Sequence, residues 1–170
     1  MYTTDACPDG FDPGEFAVMT CFLGRYGAEI GTDQFGATIM LSSPAAASKT
    51  TETVFLKMSN VELFHVGQAF RLGRYAIHFH MLGNAASSYI KECSIHQSFN
   101  RAVNTHATNY VTIESNVIYD IMGGAYFLED GIEIGNVFKN NLAIFVKTSS
   151  SLLNEDVTPA AFWVTNFSLL

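Results

Sequence analysis

The chain has 170 residues, 48% of them hydrophobic and 15% charged, with a net charge of −7. That length gives one domain with material for a sizeable core, and that apolar content is not the composition of a disordered chain. The acidic balance excludes the basic surface that nucleic acid requires, and no apolar run approaches the roughly 20 residues of a membrane helix.

Residues 1–20 hold Pro8, Pro13 and four acidic side chains, and read as an irregular lead-in. "MYTTDACPDG" has neither a basic start nor an apolar stretch, so no secretory signal is read there. Cys7, Cys21 and Cys93 make an odd count without zinc-like spacing. Cys7 and Cys21 could pair in an oxidising compartment, and Cys93 reads as a buried small hydrophobe. Residues 21–42 are glycine-spaced with short apolar runs such as "FGATIML", and residues 43–52, "SPAAASKTTE", read as an exposed polar loop.

Beyond residue 53 the chain resembles itself. "KMSNVELF" (57–64), "IKECSIHQ" (90–97), "IESNVIYD" (113–120) and "FKNNLAIF" (138–145) align, with Asn60, Cys93, Asn116 and Asn141 in matching positions. A second register runs through "AIHFH" (76–80), "AVNTH" (102–106) and "AYFLE" (125–129), at spacings of 26 and 23 residues. Short apolar segments at such a period, without helical periodicity or a leucine-rich frame, predict an all-β fold: a right-handed, single-stranded parallel β-helix over residues 21–170. Stacked asparagines suit it, because each amide can bond its neighbour one coil away and the turn backbone.

Side chains of a strand alternate between faces. Ile77, Val103 and Tyr126, then Phe79, Thr105 and Leu128, are expected to point inward. Ala76, His78 and His80, with their counterparts on the next two coils, are expected on the outer face. Coils about 4.8 Å apart would place His80, His106 and Glu129 in one column and His78 with Asn104 in the next, with Asp130 directly following in "FLEDGIE". Such a strip suits general acid–base chemistry, since a nearby carboxylate raises a histidine pKa, and it could hold a divalent metal. Any one position taken alone reads first as an ordinary solvent-facing residue; the convergence of the column as a group is what gives the strip equal standing. Arg74 and Arg101 precede the strip and could steer an acidic sugar, or serve the turns. His65 and His96 read as turn or surface residues, and Trp163 as core. The sequon Asn166-Phe167-Ser168 carries little weight. No nucleophile elbow, P-loop or dinucleotide fingerprint is present.

The stretches "GQAFRLGRYAIHFHMLGN", "CSIHQSFNRAV", "GGAYFLEDGIEIGNVFKNNLAIFVK" and "TPAAFWVTN", with "GRYGAEIGTDQFGATIML" before them, resemble one family of extracellular parallel β-helix proteins. It contains the fibrocystins and fibrocystin-like proteins, the cell-surface hyaluronidase and the cell migration-inducing hyaluronan-binding protein. The resemblance implies a fragment of a larger ectodomain, incomplete at its C-terminal end. It implies an extracellular or cell-surface location through a longer parent, and contact with a polysaccharide such as hyaluronan or with an extracellular protein. A glycosidase acting on that polysaccharide and a non-enzymatic adhesion or receptor segment both remain open, and Ca2+ is the one cofactor held open. His78, His80, His106, Glu129 and Asp130 are the catalytic candidates, with Arg74, Arg101 and Asn104 for substrate binding.

Overall fold

The computed structural model describes residues 34–43, 52, 54–69, 71–149 and 158–165. The lead-in, Cys7, Cys21, most of the 43–52 loop and the sequon lie outside the described residues. Among the described residues there are no helices, and thus none long and apolar enough to cross a membrane.

Thirteen strands follow one another among the described residues: β1 (Ile39–Ser42), β2 (Lys57–Ser59), β3 (Glu62–Phe64), β4 (Ile77–Asn84), β5 (Tyr89–Lys91), β6 (Ser94–Ser98), β7 (Val103–Asn109), β8 (Thr112–Glu114), β9 (Val117–Met122), β10 (Tyr126–Leu128), β11 (Val137–Lys139), β12 (Leu142–Lys147) and β13 (Phe162–Val164). They form three sheets, ordered β1-β4-β7-β10-β13, β2-β5-β8-β11 and β3-β6-β9-β12. Each pairing between these strands is parallel, so every third strand returns to the same sheet one coil later, which is a parallel β-helix.

The register explains why these short runs suffice. Met58, Ile90, Ile113 and Phe138 stack in one column, and Leu63, Ile95, Ile118 and Ala143 in another. Ile39, Ile77, Val103, Tyr126 and Phe162 form the third. Ile77, Ile90, Ile95, Val103, Ile113 and Ile118 are wholly buried. Each such side chain contributes roughly 1.5–3 kcal/mol through burial. A strand of three residues needs only one inward apolar side chain when its neighbours above and below supply the rest.

Two columns of left-handed residues bend the chain, the first at the corner between the second and third sheets, the second at or just beyond β3 and within β6, β9 and β12. Asn60, Glu92, Ser115 and Asn140 form one, and His65, Gln97, Asp120 and Phe145 the other, with φ between 49° and 58°. Next to the first column runs the asparagine ladder. Asn116 Oδ1 accepts from Cys93 N at 2.9 Å, and its Nδ2 donates to Ile90 O at 2.9 Å and to Asn141 Oδ1 at 3.0 Å. Asn141 Nδ2 donates to Ile113 O. The expected alignment is displaced by one residue at its start: Met58, not Lys57, pairs with Ile90, so Val61 rather than Asn60 stands over Cys93. Asn60 belongs to the left-handed corner, a conformation asparagine also favours. A second amide ladder was not anticipated. Asn109 Nδ2 donates to Gly83 O, its Oδ1 accepts from Ile134 N, and Asn136 repeats the pattern with Thr108 O and Val111 N.

Cys93 is a buried free thiol, as expected. His65 is exposed at its corner, and His96 pairs with Glu62 at 2.8 Å on the surface.

Candidate functional site

The second register is the one the sheet adopts: Ile77, Val103 and Tyr126 align, as do His78, Asn104 and Phe127. The inward set is buried apart from Leu128, which is half-buried. The outer set is not uniformly solvent-facing, however. Ala76, Ala102, Ala125, His78, Asn104 and Phe127 are all buried. The loop entering β4 lies over them. Its Tyr75 is buried, and its Gly73, held at φ 76°, presents its carbonyl to His78 Nδ1 at 3.0 Å.

Because that carbonyl can only accept, His78 Nδ1 carries the proton and Nε2 bears the lone pair. Nε2 is buried without a hydrogen-bond partner. Burial lowers the His78 pKa from 6.5 to about 4, with His80, His106 and Arg101 acting in the same direction. His80 is lowered too, first by desolvation and then by His106, which together outweigh Glu129 and Asp130. The expectation that a nearby carboxylate raises the histidine pKa is thereby reversed for His80: removing a cation from water costs more than two partly solvated carboxylates return.

His80 and His106 stand opposite one another on β4 and β7, with their Nδ1 atoms 3.2 Å apart. The column does not continue simply to Glu129. β10 ends at Leu128, and Glu129 Oε2 accepts from Asn104 Nδ2 at 2.7 Å, one column over. Asp130 takes the place beside the histidines, with Oδ1 3.6 Å from His106 Nε2, while its Oδ2 accepts from Ala107 N. Beyond the strand's end, alternation no longer governs direction. Glu133, unflagged by the sequence, fixes this turn by accepting from Ala107 N and Asp130 N.

Arg101 differs most from expectation. Its side chain is 1% exposed. The guanidinium lies 3.8 Å from the Phe127 ring centroid and 4.9 Å from that of Tyr75, donates to Asn104 Oδ1 at 3.1 Å, and sits 3.9 Å from Glu129 Oε1. It cannot reach a substrate without unpacking this sandwich. Asn104 is wholly buried with its amide oxygen and nitrogen both engaged, so its side chain is committed to Arg101 and Glu129. Arg74 is exposed beside Gly73. Trp163, expected in the core, is half-buried on the outer face: it pairs in register with Phe127 and stacks on it at 5.4 Å and 4°. "AFWVT" repeats the alanine-led frame of "AIHFH", a signal available in the sequence.

The outer face therefore carries a half-exposed row of His80, His106, Glu129 and Asp130, flanked by Trp163 and underlain by His78, Asn104 and Arg101. It can exchange protons at the His106–Asp130 pair. One ligand atom each from His78, His80 and His106 lies within 4.8 Å of the others, so these three could hold a metal ion.

A parallel β-helix of stacked coils places the chain in the solenoid class. The chain belongs to the CEMIP beta-helix family, whose model matches residues 34–165. It is 57% identical over 162 residues to Fibrocystin-L of Mus musculus and equally to that of Homo sapiens, covering 95% of this chain and 4% of each relative. It is 33% identical over 140 residues to the cell surface hyaluronidase of Danio rerio, covering 78% of this chain and 10% of that protein. The chain thus spans a small fraction of these relatives. No solved structure matches it.

Proposed function

We propose that this chain is a glycan-contacting β-helix module of an extracellular or cell-surface protein, and that a polysaccharide of the hyaluronan type lies along the His80–His106–Asp130 row. One observation carries this reading: four titratable side chains stand half-exposed together, beside an aromatic ring that stacks on Phe127 in the neighbouring column. Imidazoles and carboxylates can bond sugar hydroxyls, and a half-covered indole offers an apolar face to a pyranose ring. The name of the Danio rerio relative supports a polysaccharide as the ligand class. Arg74, exposed at the edge of the strip, is the cation that meets an acidic sugar, in place of the buried Arg101. Glu129 is committed to Asn104 and Arg101, so proton transfer in any cleavage falls to Asp130 and His106.

Immobilised hyaluronan retention and product sizing test this together. Retention weakened at least about ten-fold, which corresponds to 1.4 kcal/mol, in the His80→Ala/His106→Ala/Asp130→Ala variant supports the strip. Retention unchanged in that variant overturns it. Shortened hyaluronan chains would make the module a glycosidase. Binding without shortening would make it a non-enzymatic adhesion segment of the fibrocystin type.

A further inference from the structure

His78, His80 and His106 are brought together from two adjacent coils, with His80 edge-on to the other two rings. The His78 and His80 centroids are 4.9 Å apart, those of His80 and His106 5.0 Å, and those of His78 and His106 6.3 Å. We propose that these three imidazoles form a site for a borderline divalent transition ion, Zn2+ in particular, on the outer face of the β4–β7 sheet.

Three independent features of the geometry support it. The first is the lone pair on His78 Nε2. This residue is 3% exposed, and its Nε2 has no hydrogen-bond partner, an arrangement that buried polar atoms rarely adopt without a ligand. The second is the approach of His80 Nδ1 and His106 Nδ1 to 3.2 Å. Two nitrogens on one tetrahedral Zn2+, each about 2.0–2.1 Å from the metal, stand about 3.4 Å apart. The third is what holds the far sides of the rings. A metal-bound histidine generally donates its other ring N–H to a carbonyl or carboxylate. His78 Nδ1 donates to Gly73 O at 3.0 Å, and His106 Nε2 faces Asp130 Oδ1 at 3.6 Å. One of the three ligands is thus already held as metal ligands are, and a second has a carboxylate within reach.

The donor set also decides which ion. Ca2+ takes six to eight oxygen ligands, whereas imidazole nitrogens suit Zn2+, Ni2+ and Cu2+. His80 and His106 are half-exposed, so they can close the remaining distance, and the fourth position opens toward solvent. A site of three protein ligands and one open position is the arrangement of a catalytic zinc rather than a structural one. The site shares the strip with the proposed glycan contact but does not rest on it.

The test uses the full chain, stripped with EDTA and titrated with Co2+ in the absence of any glycan. Visible bands of tetrahedral Co2+ at one equivalent, displaced by Zn2+ and not by excess Ca2+, are expected. His80→Ala and His106→Ala should abolish the bands while circular dichroism stays unchanged, and Asp130→Asn should weaken affinity about ten- to hundred-fold. A His65→Ala/His96→Ala variant should bind as the parent does. Absence of the bands in the parent, or their persistence in both His80→Ala and His106→Ala, overturns the site. Hyaluronan retention in EDTA, measured separately, reports on the glycan reading alone.

Discussion

Asn104 Nδ2 donates to Glu129 Oε2 at 2.7 Å while Asn104 Oδ1 accepts from Arg101 Nη1 at 3.1 Å, so one buried amide links a buried cation to a half-exposed carboxylate. The guanidinium has little water around it, and Glu129 is an anion that offsets its charge. Removing one partner of such a pair leaves an uncompensated charge, whereas removing both relieves it. Glu129→Gln is therefore expected to destabilise the chain by about 1–3 kcal/mol. Glu129→Gln combined with Arg101→Met should cost less than the sum of the two single changes. Urea unfolding of the two single variants and the double closes the cycle. Strict additivity would show that Glu129 does not neutralise Arg101.

His78 imposes a pH dependence with a definite sign. Its folded pKa, about 4, lies below its unfolded value of 6.5. Between these values the unfolded chain binds a proton that the folded chain refuses, so stability falls as pH is lowered from about 6.5 to about 4 and is unaffected by this residue above that window. The full shift corresponds to about 3 kcal/mol at one pKa unit per 1.36 kcal/mol. Unfolding midpoints in EDTA at neutral pH and near pH 4.5 should differ accordingly, and the difference should shrink in His78→Gln. An equal acid loss in that variant would assign the effect to other groups.

The fold was readable because its signal is redundant. Ile77, Val103 and Tyr126 repeat in a fixed frame, and each coil presents one inward apolar residue per short strand. The slip at Asn60 has a physical origin: asparagine suits both the ladder position and the left-handed corner beside it, and Asn140 and Asn141 occupy one of each. The His80–His106 column was legible for the same reason as the fold. The carboxylates were not, because strand alternation stops at Leu128 and a turn held by Glu133 decides where they point. Nor was the burial of Arg101, since Tyr75 and Phe127 enclose it from 26 residues away on either side.

The asparagine ladder predicts a cost that does not follow from size. Asn116 is 1% exposed, and its side chain serves two backbone groups as well as Asn141: it accepts from Cys93 N and donates to Ile90 O and to Asn141 Oδ1. Asn116→Ala removes few atoms but leaves Cys93 N–H and Ile90 C=O without their partner. At about 1–3 kcal/mol per unsatisfied buried group, the loss should exceed that of Asn60→Ala, whose side chain lies at an exposed corner. Thermal unfolding of the two variants decides it. Equal melting temperatures would mean that water or backbone relaxation replaces the ladder.

Trp163 separates the glycan reading from stability. Its ring lies parallel to that of Phe127, which in turn covers Arg101, and its Nε1 donates to Thr165 Oγ1 at 3.0 Å. The stacked face supports the Arg101 sandwich from outside, and the half-exposed remainder of the ring is what a sugar would meet. Trp163→Phe retains much of the stacking on Phe127 but shortens the exposed surface and deletes the indole N–H. It should therefore change stability by less than about 1.5 kcal/mol, the upper end for an aromatic pair, while weakening hyaluronan retention several-fold. Trp163→Ala should lower both. If Trp163→Phe and Trp163→Ala reduce retention only in proportion to the folded fraction, the ring is packing alone, and the polysaccharide contact must be sought along His80, His106 and Asp130 without it.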